Sequence, residues 1–261
     1  MTETATPDDE ARAEAQTPRS LRSLILLLTA GALFFALFVG LGIWQLERRV
    51  WKLNLIASVN ARVDAPPIPA PGPSDWPRLT AGNDEYRHVK VHGRFLNDRE
   101  TFVKAVTDLG GGYWVMTPFV TDRGFTVMVD RGFVPPDLRD PAKRARGEIA
   151  GETTVTGLLR MSEPGGAFLH SNVPADDRWY SRDVAAIAKA RAVIGPLAPY
   201  FIDAERMAAP DVYPVGGLTV ISFHNSHLVY AFTWFGMALL TLAAMTYVVV
   251  DERRLRQGGK A

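Results

Sequence analysis

Two long apolar runs stand out against a mixed chain. Leu24–Leu46 reads LILLLTAGALFFALFVGLGIWQL and Leu228–Val250 reads LVYAFTWFGMALLTLAAMTYVVV, and neither holds a charged residue. Each is 23 residues long, and about 20 apolar residues in a helix cross a hydrocarbon core of ~30 Å. The pattern predicts two transmembrane helices. A secretory signal is the alternative for the first run, but its apolar core spans only about 7–15 residues and a small-x-small cleavage site follows it. Ala30-Gly31-Ala32 comes too early in the run, so a retained anchor is expected.

Past the first run a helical period continues. Trp44, Arg48 and Trp51 fall at i, i+4 and i+7 on one face, and Gln45, Arg49 and Lys52 share the neighbouring stripe. Aromatic and cationic residues here suit the headgroup zone, and interfacial anchoring is one reading of them. Residues 65–77, APPIPAPGPSDWP, form a proline-rich linker that is expected to be extended.

The period then changes to two. In YRHVKVHGRF, residues 86–95, Val89, Val91, Gly93 and Phe95 point one way, and His88, Lys90, His92 and Arg94 the other, which predicts a half-buried strand. His88 and His92 lie about 13 Å apart at ~3.3 Å per residue, too far to hold one ion, and are read as solvated. Residues 100–106, 112–121, 125–135, 153–161, 199–206 and 217–223 are further strands. Those from 100 to 135 are joined by short turns and should pair antiparallel. Residues 183–192 read as a short helix capped by Ser181 or Asp183. The expected class is α+β: a mainly antiparallel sheet domain with one or two helices, flanked by two transmembrane helices. The expected organisation is a disordered head (1–23), span 1 (24–46), helix extension and linker (47–77), the domain (78–226), span 2 (227–250) and a basic tail (251–261).

Composition narrows the function. The chain of 261 residues has a net charge of +1 and no basic stripe interleaved with aromatics, which argues against a nucleic-acid partner. With no cysteine, disulfides, thiolate metal sites and thiol nucleophiles are excluded. Met116, Met128, Met161, Met207, Met237 and Met245 are dispersed, so a copper carrier lacks its soft ligands. No G-x-S-x-G or H-E-x-x-H is present, and no enzyme is expected. A two-span sensor would need an output domain, and the short tails offer no room for one. Asp130-Arg131 face opposite ways in a strand, and the bland reading is a strand end followed by a turn at Gly132 and Pro135-Pro136.

Orientation follows from Arg253, Arg254, Arg256 and Lys260 after the second span, against Arg206 as the nearest cation before it. The positive-inside rule puts both termini in the cytoplasm and the domain outside. Glu3, Asp8, Asp9, Glu10 and Glu14 are unlike a mitochondrial transit peptide, so a bacterial inner membrane with a periplasmic domain is expected.

One constellation suggests chemistry. His227 precedes the second span, and Tyr230, Ala231 and Trp234 share its helical face. Two spans bring Trp44, Arg48 and Arg49 out at the same surface. Haem wants an apolar slot, an imidazole ligand and cations for its propionates. A wet interfacial histidine is equally compatible with the residues alone. His224 sits nearer the domain and reads as structural.

The ordered motifs resemble the surfeit-locus (Shy-type) family of cytochrome c oxidase assembly proteins, as a bacterial member. Gly42-Ile43-Trp44-Gln45-Leu46-Glu47-Arg48 matches its G-x-W-Q-x-x-R. Val129–Pro135, Gly157–Arg160 with Ser162-Glu163-Pro164, and Arg178-Trp179-Tyr180 with Asp183 follow in order. Asn225-x-His227-Leu228-x-Tyr230-Ala231-x-x-Trp234-Phe235 is the last. The resemblance implies a respiratory-chain chaperone that binds haem a transiently and helps insert it into oxidase subunit I beside haem a synthase. It implies His227 as the axial ligand to the haem iron. A colourless scaffold that holds subunit I without haem is the alternative.

Overall fold

Apolar residues in period two can bury both faces of a sheet only if the sheet curls on itself or is covered. Both happen here. In the computed structural model, which describes residues 18–167, 169–206, 212–219 and 225–258, the chain forms two units. One is drawn from the two long helices and the other spans 56–222.

The second unit opens with the end of the first helix, α1 (Leu21–Val63), and a two-residue strand β1 (Ile68–Pro69). A helical turn α2 (Ala81–Asp84) and strands β2 (His88–Phe95), β3 (Thr101–Thr107), β4 (Gly110–Thr121) and β5 (Thr126–Val134) follow. Strands β6 (Glu152–Met161), β7 (Gly166–Ala167) and β8 (His170–Ser171), helix α3 (Val184–Ala190) and strand β9 (Leu197–Ala204) complete it. The main sheet has the order β1-β2-β6-β9-β5-β4-β3, and β2 also pairs with β4. That extra pairing closes β2, β6, β9, β5 and β4 into a five-stranded barrel, with β3 as a hairpin arm and β7–β8 as a separate ribbon.

Closure runs through Gly93↔Thr121 and Phe95↔Phe119. The strands approach so closely that a Cβ at position 93 would lie 2.1 Å from the Val120 carbonyl oxygen, so only glycine fits. The inward residues of the period-two pattern, among them Val89, Val91, Phe119, Val127, Val129, Leu159, Tyr200 and Ile202, fill the interior. The pairings are antiparallel except β1–β2 and β5–β9, which are parallel. The parallel pair is reached by a long crossover that includes α3.

The outer face of β5 and β9 is covered in turn. Val184, Ile187 and Ala188 on one face of α3 pack with Trp179 over Met116, Met128 and Phe201. Asp183 caps α3, its side chain accepting from the Ala186 amide. Strand β5 is therefore buried on both faces along all 9 residues. Each such fully buried large side chain stabilises by roughly 1.5–3 kcal/mol relative to exposure.

Several expectations change. The strand read at 125–135 is β5, Thr126–Val134, so the bland reading of a turn at Gly132 fails, and Asp130 and Arg131 are both buried within it. His88 is not solvated, because its Nδ1 lies 2.7 Å from the Ala65 carbonyl oxygen and its Nε2 3.0 Å from Glu205. The proline-rich linker is extended only in its first half, around β1; residues 73–75 turn into a 3-10 helix at Trp76–Arg78. It is also packed, with Ala70 buried and the Tyr200 hydroxyl donating to the Pro71 carbonyl at 2.7 Å. Gly217–Thr219 carry no strand. His224 and residues 220–223 lie outside the described residues.

The other unit pairs α1 with α4 (His227–Gly258). At ~1.5 Å per residue, the 43 residues of α1 extend well beyond a bilayer core of about 30 Å. The helices pack antiparallel. Arg19 with Glu252, Gly31 with Met245, Phe38 with Trp234, Gly42 with Phe235 and Gln45 with His227 mark successive levels. Gly31 and Gly42 permit the approach, since a Cβ at either position would meet the opposing side chain at 2.7 and 2.6 Å respectively. Around this seam Leu26, Leu33, Phe34, Phe232, Leu239, Leu240 and Tyr247 face outward. So much exposed apolar surface suits lipid rather than water. These are two membrane-spanning-capable helices, one on each side of the central domain in sequence.

Candidate functional site

At the His227 end of the helix pair, two polar side chains meet in an apolar seam. His227 opens α4, and its Nδ1 lies 2.8 Å from the Oε1 of Gln45 on α1. Gln45 is 9% exposed, a buried amide in a helix whose other large side chains are mostly outward. Buried amides require partners, and this one has the imidazole. The amide oxygen can only accept, so this contact calls for hydrogen on Nδ1, and in the neutral imidazole that tautomer leaves the lone pair on Nε2. Nε2 makes no hydrogen bond among the described residues. Two residues earlier, the buried Oδ1 of Asn225 also has no hydrogen-bond partner among the described residues.

The other sequence-derived candidates lie within two turns of this pair along the two helices. Trp44 and Tyr230 are half exposed on their helices. Trp234 stacks on Phe38 of the opposite helix with centroids 5.9 Å apart. The Arg48 guanidinium lies over Trp51 at 3.9 Å. Neither Arg48 nor Arg49 forms an ion pair among the described residues, and both stand at the end of the apolar segment. No hydrogen bond, ion pair or ring contact among the described residues joins two of His227, Tyr230, Trp234, Trp44, Arg48 and Arg49. What links the helices is Gln45 and Phe38, which the residue types alone did not single out. Gln45 carried a signal nonetheless: it is the sole amide in the first apolar run. The donor set present is one imidazole nitrogen with apolar rings and guanidinium groups nearby. That fits a haem better than a bare metal ion, and no cluster of three or more His, Asp or Glu suited to a metal occurs among the described residues.

The barrel contains a second charged region, with a different character. Period two sends Asp130 and Arg131 to opposite faces of β5. On the outer face, Asp130 Oδ2 accepts from Arg182 at 3.2 Å, and Asp203 on the adjoining strand lies 3.6 Å from the same guanidinium. Arg182 also grips Glu163 at 2.7 Å, while Arg160 reaches Glu85 at 3.1 Å. The Thr219 hydroxyl donates to Asp203 at 2.5 Å. Burial pushes the Asp130 carboxyl up to about 7, helped by the neighbouring Asp203. Burial likewise raises Asp203, against the Thr219 hydrogen bond and the two arginines. Burial alone would lower the Arg182 guanidinium, but Asp130, Glu163 and Asp203 hold it above its ordinary value. A cavity of about 550 Å³ opens over Arg160, Arg182 and Asp203, walled by Tyr86, Trp114 and Leu218.

On the opposite face Arg131 donates to Glu100 at 3.0 Å, to Asn97 at 3.2 Å and to the Gly147 carbonyl at 2.5 Å, and Glu100 also binds Arg144. Burial lowers the Arg131 guanidinium. Both networks satisfy their own charges, which is how a barrel wall tolerates them.

A profile of the SURF1 family matches residues 32–239. "Surfeit locus protein 1" of Mus musculus is 36% identical over 249 residues, covering 89% of this chain and 77% of the mouse protein. That of Homo sapiens is 36% identical, covering 89% of this chain and 79% of its own length. A "SURF1-like protein" of Monosiga brevicollis is 34% identical over 238 residues, covering 84% and 88% of the two chains. The match includes the seam at Gln45 and His227 and both networks of the barrel, and the chain belongs to the SURF1 family.

Proposed function

We propose that this protein is a non-enzymatic assembly factor for cytochrome c oxidase. It holds haem a at the outer membrane surface until oxidase subunit I takes it. The observation that carries this reading is His227, whose Nδ1 lies 2.8 Å from Gln45 Oε1 while Nε2 makes no hydrogen bond among the described residues. A neutral imidazole nitrogen is the usual protein ligand for haem iron. Trp44 and Tyr230 supply exposed ring faces for the macrocycle. Arg48 and Arg49 supply cations for its propionates. Trp44 and Tyr230 are half exposed, which suits a cargo that must be released.

Antiparallel packing of α1 and α4 supports a two-pass anchor with both ends on one side. The cations after α4, Arg253, Arg254 and Arg256, favour the cytoplasm for that side. The domain then lies outside, and the acidic head argues for a bacterial inner membrane. Haem a synthase is the expected donor and subunit I the acceptor.

The test is purification in detergent from cells that make haem a, followed by an absorption spectrum. Haem bands at up to one equivalent per chain are expected. A colourless protein copurifying with subunit I would overturn haem carriage in favour of a scaffold.

A further inference from the structure

The tautomer of His227 is set from the opposite helix. An imidazole at a helix start exposes two nitrogens, and only the one without hydrogen can bind a metal. Here Nδ1 faces Gln45 Oε1 at 2.8 Å, across a seam that Gly42 holds close by admitting the Phe235 ring. Gln45 lies one turn beyond Gly42 on the same helix, so the contact that sets the spacing also sets the reach of the amide. Gln45 is buried and has no competing partner among the described residues. Turning the amide would bring its NH₂ to Nδ1 and leave the hydrogen on Nε2, which would abolish ligation through that nitrogen.

We propose that Gln45 is a positioning residue that fixes His227 as the Nδ1–H tautomer and presents Nε2 as the metal donor. This rests on the reading of His227 as the haem ligand. The role is that of a carbonyl or carboxylate behind a ligating histidine, which orients the ring and raises its basicity. Gln45 touches no cargo itself; it acts through His227.

The experiment uses the full chain, haem-free, in detergent micelles with ¹⁵N-labelled histidine, at a pH where imidazole is neutral. His227 is assigned by comparison with His227→Ala. The expected spectrum shows hydrogen on Nδ1 and a lone-pair signal from Nε2. Gln45→Leu should move the population toward Nε2–H, and Gln45→Glu, which keeps an acceptor, should retain Nδ1–H. Hydrogen on Nε2 in the unmodified protein, or a tautomer that Gln45→Leu leaves unchanged, overturns the proposal. Haem added afterwards gives a separate reading. Retention in Gln45→Leu should drop about 10–100-fold, the range typical for loss of a partner behind a ligand. Gln45→Glu should retain haem and strengthen the iron–imidazole stretching frequency in resonance Raman spectra. Because the tautomer is measured without haem, its failure and the failure of His227 to bind haem are distinct results.

Discussion

The barrel and the helix pair treat their polar groups in opposite ways. In the barrel, Asp130, Arg182, Asp203, Glu163 and Arg160 form one closed network, and Glu100, Arg131 and Arg144 another. At the His227 end of the helix pair, among the described residues, Nε2 of His227 and Oδ1 of Asn225 make no hydrogen bond, and Arg48 and Arg49 form no ion pair. A buried charge with every partner in place is part of the architecture. A side chain held in position with an unused donor or acceptor is where a ligand can bind. The more strongly charged region is thus the structural one, and the sparse polar pair in the apolar seam is the functional candidate.

The largest test of this contrast is Arg182→Ala. It leaves Asp130, Asp203 and Glu163 facing one another without their shared cation, and breaking a buried network in this way costs about 3–5 kcal/mol. A thermal melt followed by the buried Trp179 should show the barrel's transition fall sharply. A small shift would mean the network is not structural. Gly42→Leu attacks the other region. Overpacking against Phe235 costs about 1–3 kcal/mol, and hydrogen exchange in the first turns of α4 should quicken while the barrel strands remain protected.

A smaller effect is expected from pH. The folded-state value of Asp130 stands above its ordinary 3.8, at about 7, and Asp203 is raised as well. Between those limits the folded barrel holds a proton that the unfolded chain does not. The stabilisation is therefore fully present below about 4 and lost as pH rises through about 7. The melting temperature should fall by a few degrees from pH 5 to pH 8, and Asp130→Asn should flatten that slope. The smallest effect belongs to Arg48→Ala and Arg49→Ala. An exposed ion pair contributes roughly 0.2–1 kcal/mol, so each should weaken haem retention by no more than about fivefold and leave the barrel's melt unchanged. Retention untouched in both would remove the propionate role.

The sequence revealed local structure far better than closure or partnership. The strands at 86–95, 112–121 and 153–161 and the helix at 183–192 follow from period and capping, because those signals are local. The strand read at 125–135 was found at Thr126–Val134, but the burial of Asp130 and Arg131 within it was not foreseen, because their partners are distant in the chain. Asp130 meets Arg182 and Asp203, 52 and 73 positions away, and Arg131 meets Glu100, 31 positions away. The barrel's closure through Gly93 is equally non-local. At the helix pair, His227 was visible from its place at the lip of the span. Gln45 was not, because a lone amide in an apolar helix acquires meaning only when the opposing helix is known.

Haem occupancy of His227→Ala against the unmodified chain, purified side by side from cells that make haem a, tests the functional reading most directly. Far-ultraviolet circular dichroism and the barrel's melt serve as controls for folding. A variant that folds normally but emerges with its haem bands largely lost is the expected result. Full occupancy in His227→Ala, with the same spectrum as the unmodified protein, would contradict the assignment of His227 as the ligand.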